Sequence, residues 1–314
     1  MTQKKMKPLI AIGLGTKERP KMLEQALESL SRIHIPSDLE VILLVCENGS
    51  SSSALEIVEK YQSKLPFPAS YIKEERVGIV YMRNAILDEA RKANVGFLAF
   101  FDDDEVVKED WLVQINNARI KYHADVIQGY VEQKFISDDV DNIVVKHFPG
   151  SLDIHSGAEL EVASTRNVLI DLSIVYKYDV RFNNRFNLTG GSDTLFFMQL
   201  KNKGARIFFC REAEASETIP SSRSTIEWLL SRCFRNGFSK YLISMEIHGK
   251  PKAIWIELGY LFKSIRTVLV ILFLRKKPVD EPGFQRWKRY NRAKGVLYAM
   301  MGVPFAEYKQ IHGS

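Results

Sequence analysis

Four consecutive carboxylates, Asp102-Asp103-Asp104-Glu105, follow directly on the apolar run Phe97-Leu98-Ala99-Phe100-Phe101. Adjacent like charges repel, and an ionised carboxylate at an apolar edge carries a desolvation cost. A cation compensates for both. Mg²⁺ and Mn²⁺ take oxygen ligands, and Mg²⁺ typically combines one or two carboxylates with substrate phosphates. A run without polar alternation reads as a strand buried on both faces. Ligands of open α/β sheets bind at the carboxyl ends of such strands. The acids therefore stand where a metal–phosphate complex is expected. The competing reading is a solvated acidic turn. A second constellation is Thr189-Gly190-Gly191-Ser192-Asp193, a glycine turn that opens a helix and carries a carboxylate. The histidines, His155 and His248 among them, show neither ligand nor triad spacing.

The elements that hold these residues alternate. Pro8–Leu14 is a buried strand, broken by Gly15-Thr16-Lys17-Glu18-Arg19-Pro20. Met22, Leu23, Ala26, Leu27 and Leu30 then recur at helical spacing. Glu40–Cys46 is a second strand, ended by Glu47-Asn48-Gly49-Ser50, and a helix spans about 54–62. Tyr71–Lys73 is a short strand, and a helix follows Gly78 with Arg83-Asn84 near its start. After the acidic strand come a helix from near Lys108, a strand at 125–133 and a polar, irregular stretch at 136–165. Val168–Ile170 is a short strand, 181–188 is loop-like, and 194–202 is a helix capped by Gly204. Arg206–Cys210 is a late strand. Ser224-Thr225-Ile226-Glu227 is a capping box opening a helix through Trp228. Strands alternating with helices mark a doubly wound, mostly parallel sheet flanked by helices.

The 314 residues allow one large domain, or a domain and an appendage, and a substantial core. Net charge is +6, which favours anionic partners. Cys46, Cys210 and Cys233 are odd in number and widely spaced, which argues against a disulfide framework and for a reduced, cytoplasmic setting. The basic N-terminus from Met1 to Lys7 leads into a strand, not a signal-peptide core. No aromatic–basic interleaving of a recognised nucleic-acid-binding kind occurs.

Past Gly249-Lys250-Pro251 the composition changes. Ile254–Leu274 is strongly apolar but interrupted by Glu257, Lys263 and Arg266, so it falls short of a clean membrane span. It suits a helix lying in a membrane interface. The cluster Arg275-Lys276-Lys277, Arg286, Lys288, Arg289, Arg292 and Lys294 matches anionic cytoplasmic lipid. A buried helix or a dimer interface is the alternative. These features divide the chain into a catalytic domain at 1–245 and a helical, membrane-associating extension at 246–314, peripheral on the inner face of the cell membrane.

Four motifs then align in order: Val45-Cys46-Glu47-Asn48-Gly49-Ser50, Gly78-Ile79-Val80-Tyr81-Met82-Arg83-Asn84-Ala85, Phe100-Phe101-Asp102-Asp103-Asp104, and Gly190-Gly191-Ser192-Asp193. With Arg232-Cys233-Phe234-Arg235-Asn236-Gly237, this pattern resembles the family 2 glycosyltransferases of bacterial exopolysaccharide and lipopolysaccharide synthesis over about residues 7–240. The resemblance implies a GT-A-like fold and an inverting transfer. The donor is a nucleoside-diphosphate sugar, taken as a UDP-sugar, and the acceptor is a saccharide or polyprenyl-linked hydroxyl.

Residue by residue, it implies that Glu47, where the family usually has Asp, contacts base or ribose beside Asn48. Arg83 lies near the nucleotide. Asp104 ligates Mn²⁺ or Mg²⁺, and Asp102 or Asp103 meets ribose or a metal-bound water. Asp193, preceded here by Ser where the family commonly has Glu, deprotonates the acceptor. Arg232 and Arg235 meet the diphosphate. The bland alternatives are an exposed helix arginine for Arg83, a helix N-cap for Asp193, and helix-surface charges for Arg232 and Arg235. Two rival functions are a nucleotidyltransferase using Gly13–Arg19 as its phosphate loop, and a non-catalytic membrane-associated binding protein.

Overall fold

The computed structural model describes residues 7–150, 154–274 and 280–305. The N-terminal stretch through Met6 and the basic run Arg275-Lys276-Lys277 lie outside them. Apolar runs of the first half form β1 (Leu9–Thr16), β2 (Glu40–Asn48), β3 (Ala69–Glu74) and β4 (Phe97–Asp102). They alternate with α1 (Pro20–Leu30), α2 (Ser53–Tyr61) and α3 (Ile79–Lys92). Next come β5 (Glu105–Val107), α4 (Trp111–Tyr122), β6 (Val126–Phe135), α5 (Asn142–His147), β7 (Val168–Asp171) and α6 (Leu172–Lys177). The chain continues through α7 (Ser192–Asn202), β8 (Ile207–Ile219), α8 (Ile226–His248), α9 (Lys250–Leu274) and α10 (Glu281–Met300).

The eight strands form one sheet in the order β3-β2-β1-β4-β7-β6-β8-β5. β1 to β4 are parallel, and β6 is parallel to β8, so the sheet is mostly parallel as expected. It is mixed, however. β7 runs antiparallel between β4 and β6, and β5 is antiparallel to β8. Alternation along a four-residue buried strand is the same in both directions, so composition carries no sign of its polarity.

Helices cover both faces. α1, α2 and α4 pack over one through Leu23, Leu27, Ile57, Trp111 and Ile115. α3, α6 and α7 pack over the other through Ile86, Leu87, Leu172, Phe196 and Leu200. Each such large apolar side chain, fully buried, contributes about 1.5–3 kcal/mol.

Three details depart from the sequence reading. The stretch at 136–165 contains α5, begun by Asp141, whose carboxylate accepts from Ile143 N at 2.8 Å. It is anchored by Val144 and Phe148 in a separate apolar cluster. β8 continues through Glu217 instead of ending at Cys210. Its register with β6 jumps from Gly129↔Cys210 to Tyr130↔Glu214, a bulge that masks the strand's continuity. α8 runs unbroken across residue 245 and packs on α10 backbone to backbone. A Cβ on Gly237 would stand 2.0 Å from the Arg292 carbonyl oxygen, and one on Gly295 would stand 2.0 Å from that of Phe234.

Candidate active site

The carboxyl ends of β1 and β4 open into a cleft of about 300 Å³. The loop after β1, the acidic turn after β4, the first turns of α3 and α7, and α8 all contribute to its wall.

The acidic turn divides its labour. Asp103 lines the cleft but is only 5% exposed. It accepts 2.7 Å from Thr16 Oγ1 and 3.1 Å from Arg19 Nη1, which ties the start of α1 to the turn. Burial pushes its carboxyl up to about 7, opposed by Arg19 and helped by the charge of Asp104. Glu105 is fully buried behind the turn. It accepts from Asp102 N at 3.2 Å and from Arg166 Nε at 3.2 Å, and burial raises its pKa. Arg166 also donates to Glu217, and Arg223 reaches Glu217 from the other side at 2.8 Å. The Arg166 guanidinium is held charged: burial opposes the charge, but Glu217 and Glu105 outweigh it. Its place is fixed by the next residue, buried Asn167. That side chain donates to the Tyr130 and Ala213 carbonyls at 2.8 and 2.7 Å and accepts from Trp111 Nε1 at 2.7 Å.

All three aspartates line the cleft, but Asp103 is engaged by Thr16 and Arg19, which leaves Asp102 and Asp104 for a ligand. Burial raises the Asp102 pKa, and the charge of Asp104 raises it further. Two arginines stand at the edge of ion-pair range of Asp104, with Arg19 Nη1 and Arg223 Nη1 each 3.8 Å away. Two mutually repelling carboxylates beside open space suit a hard divalent cation. Among the described residues no three His, Cys, Asp or Glu side chains converge on a complete protein cage.

The helix-borne residues converge on the same cleft. Arg83 is buried, not the exposed helix arginine of the alternative. Its Nη1 donates to Ser192 Oγ at 3.1 Å, joining α3 to the first turn of α7. Gly190 and Gly191 take φ of +77° and +93°, a region that strains other residues, and turn the chain into α7. Ser239 of α8 holds this turn by donating to the Gly190 carbonyl at 2.8 Å. Gly191 occupies the N-cap position, so Asp193 is not the cap. It sits in the first turn, lines the cleft, and accepts from Thr194 N at 2.8 Å.

Arg232 and Arg235 of α8 also line the cleft. Arg223 and Arg232 both lie over the Trp228 ring, at 5.3 and 5.1 Å, and that ring stacks on Phe148 at 5.2 Å. Asn48 lines the cleft and clamps the loop before α3, accepting from Gly78 N at 2.7 Å and donating to the Arg76 carbonyl at 2.8 Å.

Glu47 is the exception: it is fully buried and lies outside the cleft lining. Tyr71 OH, Ser53 Oγ and Ala54 N donate to it at 2.7, 3.2 and 3.3 Å. Donors at the start of α2 draw the carboxylate aside. The sequence reading omitted Arg19, Arg166, Arg223 and Glu217. Arg19 belongs to the Gly13–Arg19 loop, whose glycines and basic residues suggest phosphate binding only under the nucleotidyltransferase reading. Arg166 falls between the irregular stretch at 136–165 and the strand at Val168, where no motif marks it. Glu217 follows an alternation of small and acidic residues, Ala213-Glu214-Ala215-Ser216, which was a strand signal.

Comparison with known proteins agrees with this architecture. Residues 12–197 match Glycosyl transferase family 2, and the chain belongs to that family. It is a glycosyltransferase, which removes the nucleotidyltransferase and the non-catalytic binding protein as readings. Over 245 residues it is 29% identical to the succinoglycan biosynthesis protein ExoM of Rhizobium meliloti (strain 1021), covering 78% of each chain. Its fold is that of the GT-A enzymes. S. aureus TarS 1–349, solved with UDP-GlcNAc, superposes with a TM-score of 0.53 at 15% identity, over 93% of this chain and 92% of that one. The mannosyltransferase PcManGT of Pyrobaculum calidifontis, solved with GDP-Man and Mn²⁺, gives 0.61 at 13% identity, over 95% and 88%.

Proposed function

We propose that this chain transfers a sugar, with inversion, from a nucleoside-diphosphate sugar to a hydroxyl of a saccharide or polyprenyl-linked saccharide in cell-surface polysaccharide synthesis. The observation that carries the reading is one cleft lined at once by Asp102 and Asp104, by Arg83, Arg223, Arg232 and Arg235, and by Asp193. That combination gives a phosphate-binding side and a proton acceptor. The pathway follows the likeness to ExoM. The donor is taken as a UDP-sugar, in keeping with the UDP-GlcNAc complex of TarS.

Asp193 accepts the proton of the acceptor hydroxyl, whose oxygen is a poor nucleophile until that proton is taken. The oxygen then bonds to the anomeric carbon opposite the diphosphate, and the bond from that carbon to the diphosphate oxygen breaks. An α-linked donor therefore gives a β-linked product. Arg83, Arg223, Arg232 and Arg235 take up the charge that develops on the departing diphosphate, in forks suited to phosphate oxygens. Asp102 and Asp104 would hold Mn²⁺ or Mg²⁺, which when bound supplies Lewis-acid neutralisation of the same charge. Asp103, occupied by Thr16 and Arg19, keeps the turn in place. Glu47 acts from outside the cleft, fixing the end of β2 so that Asn48 can hold the nucleotide loop. The enzyme works at the anionic inner face of the membrane and takes no nucleic-acid partner.

The test is product analysis of the purified chain with a panel of nucleotide-sugars, Mn²⁺ and a polyprenyl-linked saccharide. Release of free nucleoside diphosphate, with the new linkage of inverted configuration by NMR, is expected. Retention of configuration contradicts the mechanism, and a failure of Mn²⁺ or Mg²⁺ to stimulate contradicts the metal assignment.

A further inference from the structure

Outside the cleft, the outward face of α9 has no role in the chemistry above. Trp255, Leu258, Phe262, Ile265 and Leu269 recur at three- and four-residue spacing, so they share one stripe. They are 77, 44, 76, 48 and 61% exposed. Single exposed apolar residues are ordinary, but a stripe of five with two aromatics is not. The opposite face is spent: Ala253, Glu257, Ser264, Thr267 and Ile271 are buried. The charges are equally one-sided. Lys250, Lys252, Lys263 and Arg266 are all exposed. The single carboxylate of α9, Glu257, is 1% exposed and paired with Lys240 of α8.

We infer that this face of α9 docks on an anionic lipid bilayer. Its apolar stripe enters the headgroup–acyl boundary, and Lys252, Lys263 and Arg266 along its flank meet lipid phosphates. The inference deepens the peripheral membrane contact proposed above, by assigning it a surface. Charge selects the occupant. A second copy of this chain would bring the same cations together with no exposed carboxylate on α9 to meet them, whereas an anionic surface neutralises them. No helix among the described residues is long and apolar enough to cross a membrane, so α9 lies along the surface. The Glu257–Lys240 pair joins it to α8, which carries Arg232 and Arg235. Docking therefore holds the cleft at a set distance and angle from the lipid.

The full chain is sedimented with vesicles of phosphatidylcholine alone, or mixed with phosphatidylglycerol, at low and high salt. Wild type should pellet with the anionic vesicles and be released by salt. Trp255→Ser with Phe262→Ser should weaken partitioning about tenfold or more. Lys263→Gln with Arg266→Gln should weaken it and flatten its salt dependence. Circular dichroism and turnover on a soluble acceptor should remain those of wild type in both variants. Undiminished binding by either variant, or equal binding to neutral vesicles, overturns the inference. So does a concentration-dependent dimer that ignores vesicles and is dissolved by the serine pair. Vesicle binding by a chain that transfers no sugar from any donor would sink the functional reading and leave this surface standing. Transfer without vesicle binding would do the reverse.

Discussion

Asp102, Asp103 and Asp104 are chemically identical and adjacent, yet the fold gives them different work. All three line the cleft, but Asp103 is taken up by Thr16 and Arg19, which leaves Asp102 and Asp104 for a ligand. Changing Asp103 to Ala should therefore act on stability first. It strips two partners from a buried site and frees the start of α1, and a loss of about 1–3 kcal/mol in denaturant unfolding is expected. An unchanged midpoint would show that the turn holds itself. Arg223 makes the opposite prediction. It sits on Glu217 at the cleft wall, so Arg223→Lys should leave the fold intact and raise the donor KM, because an ammonium cannot reproduce the fork. Steady-state kinetics against donor concentration separates the two effects. At this scale the sequence showed that acids and arginines were present but not how they pair. Glu47 shows why: a carboxylate at a strand end is as well satisfied by the first turn of the next helix as by a ligand, and only packing decides.

Among the elements, α5 and α8 support the cleft from behind. The Trp228 indole underlies Arg223 and Arg232 and rests on Phe148, at the end of α5. Trp228→Ala should raise the donor KM by about tenfold and leave kcat closer to wild type, since it removes a platform and not a reacting group. A fall in kcat alone would place Trp228 elsewhere in the cycle. α5 is also clasped to α10: His147 Nε2 and Glu281 Oε1 are 2.7 Å apart, with Gln285 at 2.9 Å from the same oxygen. Hydrogen bonds from Gln285 and His147 draw the Glu281 pKa from 4.5 down to about 2. A depressed carboxyl stabilises above its unfolded value. The clasp should therefore be complete above about pH 5 and lost as pH falls towards 2. Acid titration followed by near-ultraviolet circular dichroism checks this, and Glu281→Gln should flatten that part of the curve. Long, regular segments such as β1, α1, β2 and α3 were legible because apolar spacing is a local property. α5 and the antiparallel sense of β7 were not, since six or four residues carry too little periodicity and their partners lie far along the chain.

Taken whole, the molecule is a sheet domain joined to the long helices α8, α9 and α10, of which α8 supplies part of the cleft wall. α8 and α10 meet through Gly237 and Gly295, where no side chain fits. Gly295→Ala should force the helices apart, at a cost of about 1–3 kcal/mol or more, and lower Tm. Because α8 carries Arg232 and Arg235, activity should fall with it. The apolar and basic composition of the C-terminal segment was plain from sequence. That α9 turns one face to α8 and the other outward was not, because its apolar residues surround much of the helix and only burial separates the two faces.

The central claim is that one cleft divides donor binding from proton removal between Asp104 and Asp193. Calorimetric titration of UDP with Mn²⁺ into Asp104→Asn and Asp193→Asn, paired with turnover of each, tests it most directly. Asp104→Asn should lose Mn²⁺-dependent UDP binding. Asp193→Asn should bind like wild type and turn over about 10²-fold or more slowly. Full Mn²⁺-dependent binding by the first variant, or wild-type turnover by the second, would contradict the account.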